Sequence, residues 1–318
     1  MIDNFGREIK YLRLSVTDRC NLRCQYCMPA EGVPKLPHHH IQSFETYASI
    51  VDAFVYLGVN KVRITGGEPL VRKGIFKLIE HIGKIEEVTD FAMTTNGLLL
   101  RDHAKALKEA GLNRVNVSID SLKPERYQKM TRGGSLKSVL EGIEAAKKWG
   151  LTPIKLNVVL IGGFNEDEIV DFVNLTQDEA IDVRFIELMP IGEVASWSVD
   201  RFIPNERVLK HAPTLKEERA IDPASPAVYY RLPNGKGRVG LISPISCSFC
   251  SACNRVRLTS EGKLKYCLHD NDEIDLAALF AEGHDLEKVI ADVIKRKPKS
   301  HQIESGNYVA RNMFQVGG

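Results

Sequence analysis

From residue 9 to residue 188, short β-branched runs alternate with stretches of helical period. Residues 9–16, 61–65, 91–95, 114–119, 154–159 and 183–188 read as strands. In one intervening stretch, Leu136, Val139, Leu140 and Ile143 recur at i, i+3, i+4 and i+7 as one buried helix face, and Gly150 stands where that helix would stop. Six strands separated by helices predict repeated βα units on a parallel sheet, an α/β fold of the incomplete (β/α)6, TIM-like kind. No short repeat or low-complexity tract breaks the pattern.

The parity of those strands is informative. One face carries Arg13, Ser15 and Thr17; Arg63 and Thr65; Thr94 and Asn96; Asn116 and Ser118; Lys155 and Asn157. The other carries Leu12, Leu14, Val62, Ile64, Val115, Val117, Leu156 and Val158, which suit packing against helices. Buried parallel strands normally read as continuous apolar runs. A polar outer face explains one edge strand but not four, so the polar parity predicts a wet, cationic cavity inside the barrel. Arg13, Arg63 and Lys155 then converge on one lumen. Burying unpaired cations is costly, so they call for an anionic guest such as a polyphosphate. No Walker or Rossmann glycine fingerprint offers another phosphate cradle.

Composition narrows the partners. The chain has 318 residues, 43% hydrophobic and 26% charged, enough for a large soluble core. A formal net charge of +2 gives no broad nucleic-acid or membrane surface, so anion sites are local. No apolar run approaches transmembrane length and the N-terminus lacks signal-peptide regions, which predicts a cytoplasmic protein with no membrane partner. In a reducing compartment, seven cysteines confined to residues 20–27 and 247–267 point to metal rather than disulfides.

Cys20, Cys24 and Cys27 form a CxxxCxxC spacing after the first strand. Three thiolates can hold three corners of a 4Fe-4S cube and leave one iron open. Zinc wants four ligands, and no fourth cysteine or histidine follows within ten residues; Pro37-His38-His39-His40 reads as a solvated loop. With Tyr26 before the last cysteine, the arrangement resembles the signature of the radical S-adenosylmethionine enzymes. Gly66-Gly67-Glu68-Pro69, after the second strand, matches that superfamily's GGEP motif, where a backbone without side chains can approach a ligand closely.

The second group is Cys247, Cys250, Cys253 and Cys267, for which spacing alone leaves a closed four-thiolate zinc site and an open cluster equally good. The surrounding sequence, Phe249-Cys250, Cys253-Asn254-Arg255, Arg257-Leu258-Thr259, Gly262-Lys263-Leu264 and Cys267-Leu268, resembles the GTP 3′,8-cyclase family of molybdenum cofactor biosynthesis. So do Thr94-Thr95-Asn96-Gly97, Val117-Ser118-Ile119-Asp120-Ser121-Leu122, Lys155-Leu156-Asn157, Phe185-Ile186-Glu187-Leu188-Met189-Pro190 and the terminal Gly317-Gly318.

The resemblance implies a radical S-adenosylmethionine partial barrel over residues 1–220 and a C-terminal iron-sulfur region over 221–318 that covers it. It implies two 4Fe-4S clusters, on Cys20, Cys24 and Cys27 and on Cys250, Cys253 and Cys267, with Cys247 outside the motif. Tyr26, Gly67, Ser118 and Met189 match S-adenosylmethionine contacts. Arg13, Arg63, Thr94, Lys155, Arg255, Val256 and Arg257 match GTP contacts, and Arg255, Arg257, Gly317 and Gly318 belong to the catalytic machinery. The implied activity is cyclisation of GTP to 3′,8-cyclo-7,8-dihydro-GTP. An electron donor, a later molybdopterin-pathway enzyme and a homodimer are the partners it admits. Two rivals remain at this level: a peptide-modifying radical enzyme, which would want more cysteines, and a nucleic-acid-binding metal protein, for which the charge is too near neutral.

Overall fold

The computed structural model describes residues 1–32, 36–37, 40–219, 222–303 and 308–317; His38, His39 and Gly318 lie outside them. Strands β1 (Tyr11–Ser15), β2 (Lys61–Thr65), β3 (Asp90–Thr95), β4 (Arg114–Ser118), β5 (Lys155–Leu160) and β6 (Asp182–Glu187) stand at the six expected places. Each pairs in parallel with the next, Arg13 lying opposite Arg63 and Asn116 opposite Lys155. Helices α1 (Phe44–Tyr56), α2 (Ile75–Gly83), α3 (Leu100–Glu109), α4 (Pro124–Thr131), α5 (Leu136–Lys148) and α6 (Ile169–Asp178) fall between them. The apolar parity, Leu12, Leu14, Val62, Ile64, Val115, Val117, Leu156 and Val158, is buried with the inner faces of these helices in one core.

Helix α5 departs from the sequence expectation in one position. Leu136, Val139 and Ile143 are buried, but Leu140 is 45% exposed, and the stripe continues through Gly142 and Ala146 instead. A Cβ on Gly142 would fall 2.6 Å from the Gly97 carbonyl, so α5 is rolled to bring its small residue against the start of α3. Gly150 has φ +70 just beyond the cap, as a left-handed helix stop requires.

The C-terminal part does more than cover the barrel. After α7 (Ala195–Val199) and α8 (Glu206–His211), strands β7 (Lys216–Glu217), β8 (Ala227–Arg231) and β9 (Arg238–Ile242) attach beside β6. Strands β10 (Arg255–Leu258), β11 (Lys263–Lys265) and β12 (Glu273–Asp275) attach beside β1. Since β9 and β10 run parallel to their neighbours, the parallel order is β10-β1-β2-β3-β4-β5-β6-β9, finished by antiparallel pairs at both edges. Helices α9 (Leu276–Ala281), α10 (Leu286–Val293) and α11 (Met313–Val316) complete the chain.

Candidate active site: one cavity lined by both cysteine groups

A cavity of about 340 Å³ lies against the polar parity of the strands. Its wall includes Arg13, Arg63, Thr65, Thr94, Asn96, Ser118 and Asn157, the residues that the strand alternation turns inward. The loop after β1 adds Cys20, Cys24 and Cys27, and the segments around β10 add Cys250, Cys253 and Cys267.

The first cysteine loop is held on two sides. Arg23 and Gln25 donate their N–H groups to the Thr131 and Met130 carbonyls, at 3.1 and 3.0 Å, and the Cys27 N–H closes a turn onto the Cys24 carbonyl at 2.9 Å. On the other side Gly67 N–H donates to the Thr17 carbonyl at 2.7 Å, and a Cβ on Gly67 would fall 2.3 Å from the Arg19 carbonyl. The glycine pair is therefore demanded first by the cysteine loop itself. Glu68 accepts from Thr95 Oγ1 and the Asn96 N–H, at 2.8 and 2.7 Å, and burial lifts its carboxyl to about 7. The Tyr26 hydroxyl donates to Asp120 Oδ2 at 2.8 Å, beside Ser118; Gly67 and Met189 line the same wall.

Burial pushes the Cys20 thiol up to about 11 and those of Cys24 and Cys27 higher; Glu68 adds to the effect at Cys20, and neighbouring sulfurs and Asp120 add to it at Cys24 and Cys27. Thiolates here need a compensating cation, which iron would supply on loading with release of protons. Among the described residues no three His, Cys, Asp or Glu side chains converge tightly enough to hold a single metal ion. A cube places each thiolate on a different iron, so a triad on one cavity wall suits it better than it suits zinc.

The middle of the wall is crowded with cations. Burial lowers Arg13 to about 9 and Arg257 to about 10, each pressed further by the other or by Arg255; Arg63 falls well below the ordinary arginine value, and Arg184 falls too. Arg63 lies 5.2 Å from the Tyr11 ring. Burial works against ionising the Tyr11 phenol, yet Arg63 and Arg13 outweigh it and bring its pKa down. Arg63 Nε, Thr94 Oγ1 and Tyr11 OH are buried without a hydrogen-bond partner. Such a wall is relieved by an anion that supplies both charge and acceptors.

Two expected GTP contacts sit elsewhere. Lys155 is off the wall, its Nζ 3.5 Å from Asp182 Oδ2 and 3.4 Å from the Tyr229 hydroxyl, while Arg238 grips the same Asp182 at 2.6 and 3.0 Å. Val256 faces the core, since it alternates with Arg255 and Arg257 along β10.

Register explains how Arg255 and Arg257 arrive: β10 pairs with β1 so that Arg255 lies opposite Tyr11 and Arg257 opposite Arg13. Cys250, Cys253 and Cys267 line the cavity, whereas Cys247 is exposed and off the wall. The C-terminal tail also reaches the cations: the Gly317 carbonyl accepts from Arg257 Nη1 and, at 3.2 Å, from Arg13 Nη2. Gly318, expected beside it, lies outside the described residues.

Comparison with known proteins decides what this cavity belongs to. Residues 14–176 match the radical SAM superfamily and residues 181–303 match Molybdenum Cofactor Synthesis C. The GTP 3′,8-cyclase of Peptoclostridium acidaminophilum is 56% identical over 100% of this chain and 98% of its own length; that of Alkaliphilus oremlandii is also 56% identical, covering 100% of both. The chain belongs to the GTP 3′,8-cyclase family. The fold is the superfamily's partial barrel: Streptococcus suis SuiB bound to S-adenosylmethionine superposes with a TM-score of 0.59 at 13% identity, over 97% of this chain and 78% of that one. Membership of the family carries iron-sulfur and S-adenosylmethionine chemistry with it. Among the described residues no helix is long and apolar enough to cross a membrane.

Several wall residues lie outside the sequence-based expectation. Arg184 lies opposite Asn157 on β6 and donates to its Oδ1 at 3.0 and 2.7 Å; the same alternation, extended to β6, identifies it. Tyr11 shares the parity of Arg13 and is equally accessible to that argument. His269, Lys297 and His301 also line the cavity, and nothing local in the sequence announces them.

Proposed function

We propose that this chain converts GTP to (8S)-3′,8-cyclo-7,8-dihydroguanosine 5′-triphosphate, at the first step of molybdenum cofactor biosynthesis. The observation that carries the proposal is a single cavity whose wall holds both cysteine triads and a row of buried and half-buried cations from β1, β2, β6 and β10. Cys20, Cys24 and Cys27 would hold one 4Fe-4S cluster and Cys250, Cys253 and Cys267 a second. S-adenosylmethionine with the first cluster would supply a 5′-deoxyadenosyl radical that takes hydrogen from C3′ of the ribose, after which C3′ bonds to C8 of guanine.

The chain's own residues contribute placement and charge. Tyr26, fixed by Asp120, together with Gly67, Ser118 and Met189 would receive S-adenosylmethionine. Arg13, Arg63, Thr94, Arg255 and Arg257 would hold GTP, with the Val256 backbone between the last two and Lys155 supporting from behind the wall. The tail carbonyl of Gly317 would keep Arg13 and Arg257 oriented, with Gly318 beyond it. Residues 1–220 would carry the radical chemistry and 221–318 the base-orienting cluster. An external electron donor, a following enzyme of the molybdopterin pathway, a cytoplasmic setting and a homodimer fit this reading.

Atom balance makes the test specific. One hydrogen leaves C3′ and one proton and one electron enter at the base, so the product is an isomer of GTP. Anaerobic incubation with S-adenosylmethionine, reductant and GTP should yield a nucleotide of unchanged mass and altered retention, matched by 5′-deoxyadenosine. Nucleotide returned chemically unchanged while 5′-deoxyadenosine accumulates would defeat the proposal.

Three further results are expected. Arg255→Ala removes a charge-assisted contact of roughly 1.5–3 kcal/mol, so GTP affinity or turnover should fall about ten- to a hundred-fold with S-adenosylmethionine binding little changed, whereas Lys155→Ala, acting from behind the wall, should cost less. An Arg255→Ala variant equal to wild type would detach β10 from the substrate site. Cys247→Ala should retain the full iron and sulfide of the reconstituted protein, and loss of about half the iron would return Cys247 to the ligand set.

The third result concerns protons. Burial and the nearby Arg184 and Arg114 lower Lys155 to about 7, so at pH 8 it is mostly neutral in the GTP-free protein. A bound triphosphate favours the ammonium and raises that pKa. GTP binding at pH 8 should therefore take up a proton, up to about one per site, read as buffer-dependent heat in calorimetry. Lys155→Met should abolish the uptake; an unchanged signal would separate Lys155 from the substrate.

A further inference from the structure

Lys297 is an ammonium buried on the cavity wall, only 2% exposed. Its Nζ donates to the Arg255 carbonyl at 2.9 Å and to the Tyr266 carbonyl at 2.6 Å. Arg255 follows Cys253 by two residues and Tyr266 immediately precedes Cys267, so one side chain ties together the segments that present these two thiols. The third is tied to the same place from behind. Arg7 donates to the Cys250 carbonyl at 2.9 Å and also to the carbonyls of Lys297, Pro298 and Lys299, at 3.4, 2.7 and 3.1 Å.

The two cations differ in their compensation. Arg7 has Asp3 at 2.5 Å. Among the described residues, no carboxylate makes an ion pair with Lys297. Two carbonyl dipoles solvate an ammonium but leave its charge in place, and a buried uncompensated charge is costly. Lys297 shares its cavity wall with Cys253 and Cys267, which stand two residues before one and immediately after the other of the two carbonyls it holds.

We infer that Lys297 is a positioning residue for the second cysteine triad: its ammonium clamps the Cys253 and Cys267 segments and serves as the counter-charge of the iron-sulfur group those thiolates hold. The inference rests on the reading of Cys250, Cys253 and Cys267 given under Proposed function. Iron-sulfur potentials follow net charge and the surrounding hydrogen bonds, and reduction adds one negative charge beside the ammonium. Lys297 thus favours the reduced state of that group.

The test uses a background in which Cys20, Cys24 and Cys27 are replaced by alanine, so that any iron and any paramagnetic signal belong to the second triad. Lys297→Met keeps the side-chain length without charge, and Lys297→Arg keeps the charge. In redox titrations followed by electron paramagnetic resonance, Lys297→Met should lower the reduced-to-oxidised ratio at the wild-type midpoint about ten-fold, a shift of about 59 mV toward more negative potential. Lys297→Arg should restore most of it. Loss of iron in Lys297→Met that Lys297→Arg recovers supports the same role, whereas loss in both variants overturns it in favour of packing. Full iron with an unmoved potential in Lys297→Met overturns the inference and leaves the triad standing. No iron in the background with Lys297 intact overturns the triad assignment and the inference with it.

Discussion

Cys24→Ser is expected to abolish formation of 5′-deoxyadenosine while GTP still binds. Cys24 is the middle thiol of its loop, disfavoured as a thiolate by burial and by Cys27, Asp120 and Cys20 around it. Serine keeps the volume and loses the soft ligand that iron requires. The fall in 5′-deoxyadenosine should exceed the ~100-fold that loss of an outer partner of a metal ligand produces. GTP should be spared because the proposed contacts, Arg13, Arg63, Arg255 and Arg257, stand on β1, β2 and β10, and Arg13, Arg255 and Arg257 donate to the Val316, Gly317 and Ala224 carbonyls. Anaerobic assay of 5′-deoxyadenosine beside GTP titration separates the two effects. Normal 5′-deoxyadenosine from Cys24→Ser would mean that Cys20, Cys24 and Cys27 do not carry the electron-delivering group.

The barrel is legible in the sequence because its strands violate a regularity. Parallel strands with a polar second parity cannot be packed on both faces, so the alternation of Arg13, Arg63, Thr94 and Asn157 with apolar neighbours is enough to announce a lumen. Arg184 is harder to read for a local reason: the sixth run begins visibly at Val183, and its apolar residues draw attention to the wrong face. The pairing of β10 with β1 leaves no trace in sequence, since it joins Tyr11 to Arg255 across more than two hundred residues. Arg7 and Lys297 read as ordinary surface cations for the same reason. Their partners are backbone carbonyls, which have no residue identity.

The glycine motif shows how a correct position can carry an incomplete reason. Gly66 and Gly67 suggest close approach by a ligand, and Gly67 does line the cavity. The nearer constraint is internal, because Thr17 and Arg19 carbonyls occupy the space that Cβ atoms would need, at 2.7 and 2.3 Å. Any side chain at 67 would displace the cysteine loop before it met a ligand. The motif therefore couples the geometry of the cysteines to the wall proposed to receive S-adenosylmethionine.

Gly317→Ala is expected to uncouple the reaction as severely as removal of Gly317 and Gly318. Gly317 has φ +74, a conformation that costs an L-residue about 1–2 kcal/mol, and its added Cβ would fall 2.2 Å from Thr65 Oγ1 and 3.4 Å from the Ser15 Cβ. The tail cannot shift as a whole, because its base is pinned, so the displacement falls on its tip. Arg311 grips Glu273 at 2.5 and 2.7 Å, and Asn312 accepts from the Glu193 N–H at 3.0 Å while capping α11. The Gly317 carbonyl would then leave Arg13 and Arg257, two cations assigned to GTP. Misplacing such a contact by about 1 Å can cost on the order of 100-fold in rate, so cyclised GTP should fall by that order. Formation of 5′-deoxyadenosine should persist, and the melting temperature and iron content should hold, since a chain terminus contributes little to core stability. Wild-type yield of cyclised nucleotide from Gly317→Ala would reduce the tail to a frayed end and would leave Arg13 and Arg257 oriented by the strands alone.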